Sequence, residues 1–130
     1  LESFDTTTDV AQRLKSALET SDLASFADLL SPDVRWGPPD SSPPPCTNKQ
    51  QVLAWYRRGA AANASALVTE MMVIEDRVVV GLAIQGMKSR SSRGETVSRW
   101  QVFTLRDGLI VEIVGFDSRA DAAARAGLLD

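Results

Sequence analysis

The feature that most limits what this chain can fold into is a change of period near Ser65. Before it, apolar residues recur at helical spacing. After it come four extended stretches, Leu67–Ile74, Val78–Met87, Thr96–Leu105 and Leu109–Phe116, rich in Val, Ile and Met. Their period and β-branched content predict strands. Glu75-Asp76 and Asp107-Gly108 sit where tight turns are needed, and Asp-Gly is a strong hairpin signal. Met87–Glu95, polar and rich in serine and arginine, reads as a longer hairpin loop. Helices followed by consecutive strands predict an α+β fold in one domain spanning 1–130, rather than a parallel α/β sheet.

The first half supplies the helices. Val10, Leu14, Ala17 and Leu18 predict a helix over Thr8–Thr20, with Asp9 and Gln12 at capping-box spacing and residues 1–7 as a flexible N-terminus. Leu23, Phe26 and Leu30 share a face of a second, short helix stopped by Pro32, and a brief strand follows at Val34–Trp36. Gly37–Cys46 holds five of the six prolines, so it reads as a stiff surface loop. Thr47 and Gln50 have capping-box spacing ahead of a third helix carrying Val52, Trp55 and Tyr56 on its apolar side. Ser118 and Asp121 cap a last helix, Arg119–Ala126, which Gly127 ends.

Composition removes several chemistries. With no histidine and one cysteine, Cys46, the chain has no Ser-His-Asp triad, no Cys-His pair, no histidine-ligated metal and no internal disulfide. No metal and no cofactor is expected, since a phosphate-cradling glycine motif is also missing. A net charge of −3 argues against nucleic acid. No apolar run approaches the roughly 20 residues of a membrane span, so a soluble, cytoplasmic protein is expected.

A two-residue turn at Asp107-Gly108 fixes a register. Trp100, Val102 and Thr104 would share a face with Val111, Ile113, Gly115 and Asp117. Arg99, Gln101, Phe103 and Leu105 would share the other with Ile110, Glu112, Val114 and Phe116. Both faces are substantially apolar, and a homodimer through the outer one is the expected partner.

The paired N-terminal helices, "LSPDVRWGPP", "NKQQVLAWYRRGAAA" and "LRDGLIVEIVGFDSRADAAARAGL" together resemble the nuclear transport factor 2-like superfamily in its SnoaL-like branch. The resemblance implies a cystatin-like, cone-shaped half-barrel: a curved antiparallel sheet wrapped by helices, with a cavity on its concave side and dimers through its outer face. Members include ketosteroid isomerases, polyketide cyclases, epoxide hydrolases and noncatalytic binding or scaffolding domains, so the fold leaves function open. The isomerases' aspartate base falls here at Trp36 or Gly37. The epoxide hydrolases' acid falls at Val114 or Gly115. Neither mechanism transfers.

Asp117 is then the acid best placed to act as a base, provided aromatic walls desolvate it; the competing role is to help cap the helix that follows. Trp36, Trp55, Tyr56 and Trp100, with Val102 and Ile113, would wall a pocket for an apolar ligand in which the Tyr56 hydroxyl donates a hydrogen bond. Core packing accounts for each aromatic singly just as well. Cys46, ahead of a helix, reads as a structural or ligand-lining thiol rather than a nucleophile. Lys88, Arg90, Arg93 and Arg99 read as a solvated basic run. Two functions stay open: a pocket protein acting on a small apolar molecule as a cofactor-free isomerase, cyclase or hydrolase, or a noncatalytic dimeric ligand-binding or scaffold domain.

Overall fold

A computed structural model of the protein describes residues 2–20, 22–37, 46–61, 65–85 and 97–127. Four helices, α1 (Glu2–Thr20), α2 (Leu23–Asp28), α3 (Lys49–Ala61) and α4 (Arg119–Arg125), flank five strands: β1 (Leu30–Gly37), β2 (Ser65–Ile74), β3 (Arg77–Gln85), β4 (Val97–Arg106) and β5 (Leu109–Phe116). The strands lie in the order β1-β5-β4-β3-β2, with β1 parallel to β5 and every other pair antiparallel. The sheet is therefore mixed, and unclosed. Residues 38–45 of the proline-rich stretch and the serine- and arginine-rich loop, with Lys88, Arg90 and Arg93, lie outside the described residues.

The meander forms because its turns suit its strands. Asp107 and Gly108 both adopt positive φ, 53° and 80°, as a two-residue primed turn requires, and Glu75 does so at 55° in the β2–β3 hairpin. On the concave face α1 packs against β2 and β3, α3 against β1, and α2 touches both helices. Val10, Leu14, Ala17 and Leu18 are buried there with Phe26, Val34, Val52, Val78, Val80, Phe103, Ile110 and Ile113 in one cluster.

The helix starts differ from expectation. α1 begins at Glu2, so the N-terminal residues are helical, and Asp9 is a mid-helix residue paired with Arg13 rather than a cap. Thr7 is 6% exposed; burial of that face carries the helix through a threonine run of weak propensity. At α3 the capping residues stand one place later than expected. The Asn48 side chain accepts from the Gln51 amide, and Gln51 Oε1 accepts from the Thr47 amide.

β1 is longer than expected. It begins at Leu30 and includes Pro32, where the sequence pattern predicts a helix stop. The strand lies at the sheet's edge, and the five steps from Leu30 to Arg35 match only two steps on β5, from Ile110 to Glu112. A proline without an N–H is tolerated in such a bulged edge.

A second bulge overturns the predicted β4–β5 register. Leu105 pairs with Ile110, but Thr104 pairs with Glu112, leaving Val111 as the extra residue. Beyond that point every pairing moves by one. Phe103 opposes Ile113 and Gln101 opposes Gly115 on the concave side, while Val102 opposes Val114 and Trp100 opposes Phe116 on the convex side. The bulge is visible in the core itself: Ile110 and Ile113, three residues apart, are both fully buried in the concave cluster. In a regular strand they would point to opposite faces. β2 repeats the device between Val68 and Glu70, and the Val68 amide donates to Glu19 Oε2 at the end of α1.

The convex face is not bare. α4 crosses it, burying Ala122 and Ala126 against Val79 and Val102. Arg119 forks onto both Glu70 oxygens on β2, Arg125 meets Glu112 on β5, and Arg77 donates to the Arg125 carbonyl. What α4 leaves open is smaller, with Leu67 60% exposed and Trp100 and Phe116 partly buried. No helix among the described residues is long and apolar enough to cross a membrane.

Candidate functional site

Along the concave face the sheet changes character from one end to the other. On β4 the row runs Leu105, Phe103, Gln101, Arg99, and on β5 it runs Ile110, Ile113, Gly115, Asp117. The turn end is sealed and apolar. The opposite end is polar.

At the junction of the two halves, α3 and β1 bring three aromatic rings together. The Trp36 and Tyr56 centroids lie 5.3 Å apart, Trp36 meets Trp55 edge-on at 5.6 Å, and Tyr56 rests against Phe26 at 4.4 Å. Such tilted and edge contacts are the favoured aromatic geometries. Trp55 is the outer member, half-exposed, with the Arg58 guanidinium 5.8 Å over its ring.

The Tyr56 hydroxyl reaches across the concave face to donate to Gln101 Oε1 at 3.4 Å. This is long for an O–H···O bond, whose usual separation is about 2.7 Å. Gln101 is one of only two buried polar residues among those described, and its Nε2 donates to no protein group among them. Opposite Gln101 stands Gly115, and a Cβ built on it would meet no described atom within 4 Å. Open space therefore adjoins the buried Gln101, whose amide oxygen the partly buried Tyr56 hydroxyl meets.

Burial pushes the Tyr56 phenol well above its ordinary value of 10, against a smaller opposing effect of the Gln101 bond. Tyr56 thus stays a neutral donor across the physiological range. It is the chain's only tyrosine, so phenolate absorbance at 295 nm reports it alone. We expect no phenolate signal in the folded protein through pH 10, the ordinary value. A phenol raised on folding contributes stability that is fully present below that value and is lost as pH climbs toward the folded pKa. Phenolate should therefore appear together with unfolding, followed by circular dichroism, and a separate earlier transition would show an accessible ring.

Of the residues expected to wall a pocket, Trp36, Trp55, Tyr56, Ile113 and Cys46 lie together. Trp100 and Val102 do not. The Val111 bulge turns both to the convex side, where the Trp100 ring covers Gly81 and packs against the α4 cluster. Cys46 is 2% exposed in the concave core and bridges to Trp36 through paired backbone hydrogen bonds of 3.0 and 3.1 Å. Its thiol is pushed up by burial, with Arg58 opposing weakly. That is the environment of a packed thiol.

Asp117 stands at the polar end of the concave face, paired with Arg99. Its side chain is 86% exposed, so the desolvation that would make it a strong base is missing. It is not the cap either: Ser118 accepts from the Asp121 amide at 3.2 Å. Gln101 and Gly115 are the residues that sequence reasoning passed over, and Arg99, read there as part of a solvated basic run, stands beside them as the partner of Asp117. Once Phe103 and Leu105 define the buried phase of β4, period two places Gln101 and Arg99 beside them.

An open cleft of about 610 Å³ lies beside the β4–β5 turn but off the concave face, lined by Ser31, Arg35, Thr104, Arg106 and Glu112 among others. Its mixed, exposed charges give it no buried polar group to orient a ligand.

The sequence profile of the SnoaL-like domain matches residues 11–113. The chain belongs to the SnoaL-like family. This SnoaL-like chain also shares its fold with many solved structures of the nuclear transport factor 2-like superfamily. A candidate ketosteroid isomerase from Kribbella flavida superposes with a TM-score of 0.71 at 18% identity, covering 88% of this chain and 79% of that one. A candidate polyketide cyclase from Sinorhizobium meliloti gives 0.66 at 20%, covering 83% and 94%. A protein with a ketosteroid isomerase-like fold from Catenulispora acidiphila, in complex with trimethylamine, gives 0.66 at 16%, covering 92% and 93%. At these identities the likeness concerns the fold alone. No curated protein matches the sequence.

Proposed function

We propose that this SnoaL-like domain is a small-molecule pocket protein. It binds one largely apolar, ring-bearing molecule in the concave face, with the ring against Trp36 and an acceptor oxygen on the Tyr56 hydroxyl. The observation that carries this reading is the part-buried hydrogen bond from Tyr56 to the buried Gln101, beside the open space over Gly115. A hydroxyl whose own hydrogen bond is long can exchange it for a ligand carbonyl at little cost, and the freed glutamine can donate from Nε2.

A binding role without turnover is the form that the described residues favour, because no carboxylate is among the buried side chains of that set. In a catalytic form Tyr56 would polarise a carbonyl, and Asp117 would have to leave Arg99 to take up a proton. 2-Acetylnaphthalene, an apolar double ring with a single acceptor, is a suitable probe. Titration calorimetry should show saturable binding with one site per chain. Tyr56→Phe should weaken it about 2–10-fold, the range for one neutral hydrogen bond. Absence of saturable binding, or an unchanged affinity in Tyr56→Phe, would sink the proposal.

A further inference from the structure

The polar end of the concave face carries one cation among the described residues of its β3, β4 and β5 rows, and that cation is Arg99. It pairs with Leu82 on β3, a concave core residue, which places it on the same face as Gln101. Its side chain is 45% exposed, and its only partner among the described residues is Asp117, which Nη1 contacts. Nε and Nη2 are left without a protein acceptor in that set. A guanidinium presents five donors in a planar fork, so a second carboxylate can be held beside the first. The contact with Asp117 is itself an exposed pair, of a kind that contributes little and exchanges readily.

Resting on the pocket reading above, we infer that Arg99 recognises a carboxylate, and that the ligand class is an aromatic or alicyclic ring acid. The ring lies against Trp36, one acceptor meets Tyr56 and Gln101, and the carboxylate meets Arg99 at the mouth. Spacing supports the match. Gln101 and Arg99 are two residues apart on one strand, about 7 Å. A ligand acceptor and a ligand carboxylate at opposite ends of a double ring are separated by a similar span. Asp117 occupies the fork when the pocket is empty and competes with the incoming anion, which makes it a positioning residue and a brake on affinity.

Three probes test this in titration calorimetry at low and at 0.5 M salt: 2-acetylnaphthalene, 6-acetyl-2-naphthoate and the methyl ester of the latter. The free acid should bind about 10-fold tighter than its ester, and the advantage should shrink at high salt. Arg99→Gln should remove the advantage while leaving the affinity for 2-acetylnaphthalene unchanged. Asp117→Asn should widen it several-fold. Both positions are exposed, and an unchanged melting temperature verifies that the variants fold. Binding of 2-acetylnaphthalene with no preference for the acid overturns this inference alone, as does a preference that survives Arg99→Gln or fails to widen in Asp117→Asn. If none of the three probes binds, the pocket reading falls with it.

Discussion

Phe103→Ala should lower stability by about 3–5 kcal/mol, which makes it among the most damaging single truncations available in this chain. Phe103 is fully buried, sits in the middle of β4, and opposes Val78 on one side and Ile113 on the other. Removing the ring deletes the transfer free energy of its atoms and leaves a cavity walled by three strands, which cannot close without shifting the sheet. Urea or thermal unfolding measures it, and for a domain of this size the fall in melting temperature should be on the order of 10–20 °C. Trp55→Ala is the control. That ring is larger but half-exposed, so its loss should cost under about 1 kcal/mol. Equal losses in the two variants would contradict the placement of Phe103, and so would a mild effect at Phe103. The contrast also bears on the register, because a β5 without its bulge would put Phe103 opposite Glu112.

That bulge marks the boundary of what the sequence discloses. Strand identities, the Asp107-Gly108 turn and the last helix with its Ser118 cap follow from local chemistry: β-branched runs, a residue pair that accepts positive φ, a hydroxyl three residues ahead of a free amide. Those were legible. Val111 has no such signature. Any of the apolar residues in "LIVEIVGF" could be the extra one, and the choice is made by which isoleucines the helices can cover. Only burial of both Ile110 and Ile113 reveals it. The same holds at Pro32, where local rules end a helix but edge position and a bulge permit a strand. At Thr7, a buried face extends a helix that propensity alone would start later.

The candidate site shows the same division. The ring cluster of Trp36, Trp55 and Tyr56 was accessible to reasoning, since helical spacing and a nearby strand suffice to bring such rings together. Trp100 and Val102 were misassigned by one bulge, because a slip of one residue exchanges the faces of everything beyond it. The same slip hid Gln101 and Gly115, and it left Arg99 in a solvated basic run without its partner Asp117. Asp117 drew attention as an acid at a strand end, but its surroundings depend on Arg99, a neighbour that only the corrected register supplies.

Gly115→Val should abolish probe binding while leaving the fold as stable as before, or slightly more so. Gly115 lies inside β5 with no positive φ, so its backbone makes no demand that only glycine meets. Glycine in a strand interior costs roughly 0.5–1 kcal/mol relative to a residue with a Cβ, and valine is among the best strand formers. Its presence needs another reason, and close approach of a ligand is one that strand glycines serve. A Cβ there meets no described atom within 4 Å, so the two methyl groups of valine would enter the open space beside Gln101 rather than the packed core. For 2-acetylnaphthalene the expected loss of affinity exceeds about 30-fold, because the inserted methyls take the volume the ring would fill. Melting temperature should stay level or rise by a few degrees, a gain of up to about 1 kcal/mol. The pairing of the two results is what discriminates. A large drop in stability would mean that the space over Gly115 is already filled by the chain. Wild-type affinity in a stable Gly115→Val protein would mean that the ligand lies elsewhere, and the Tyr56–Gln101 pair would then be core structure rather than part of a site.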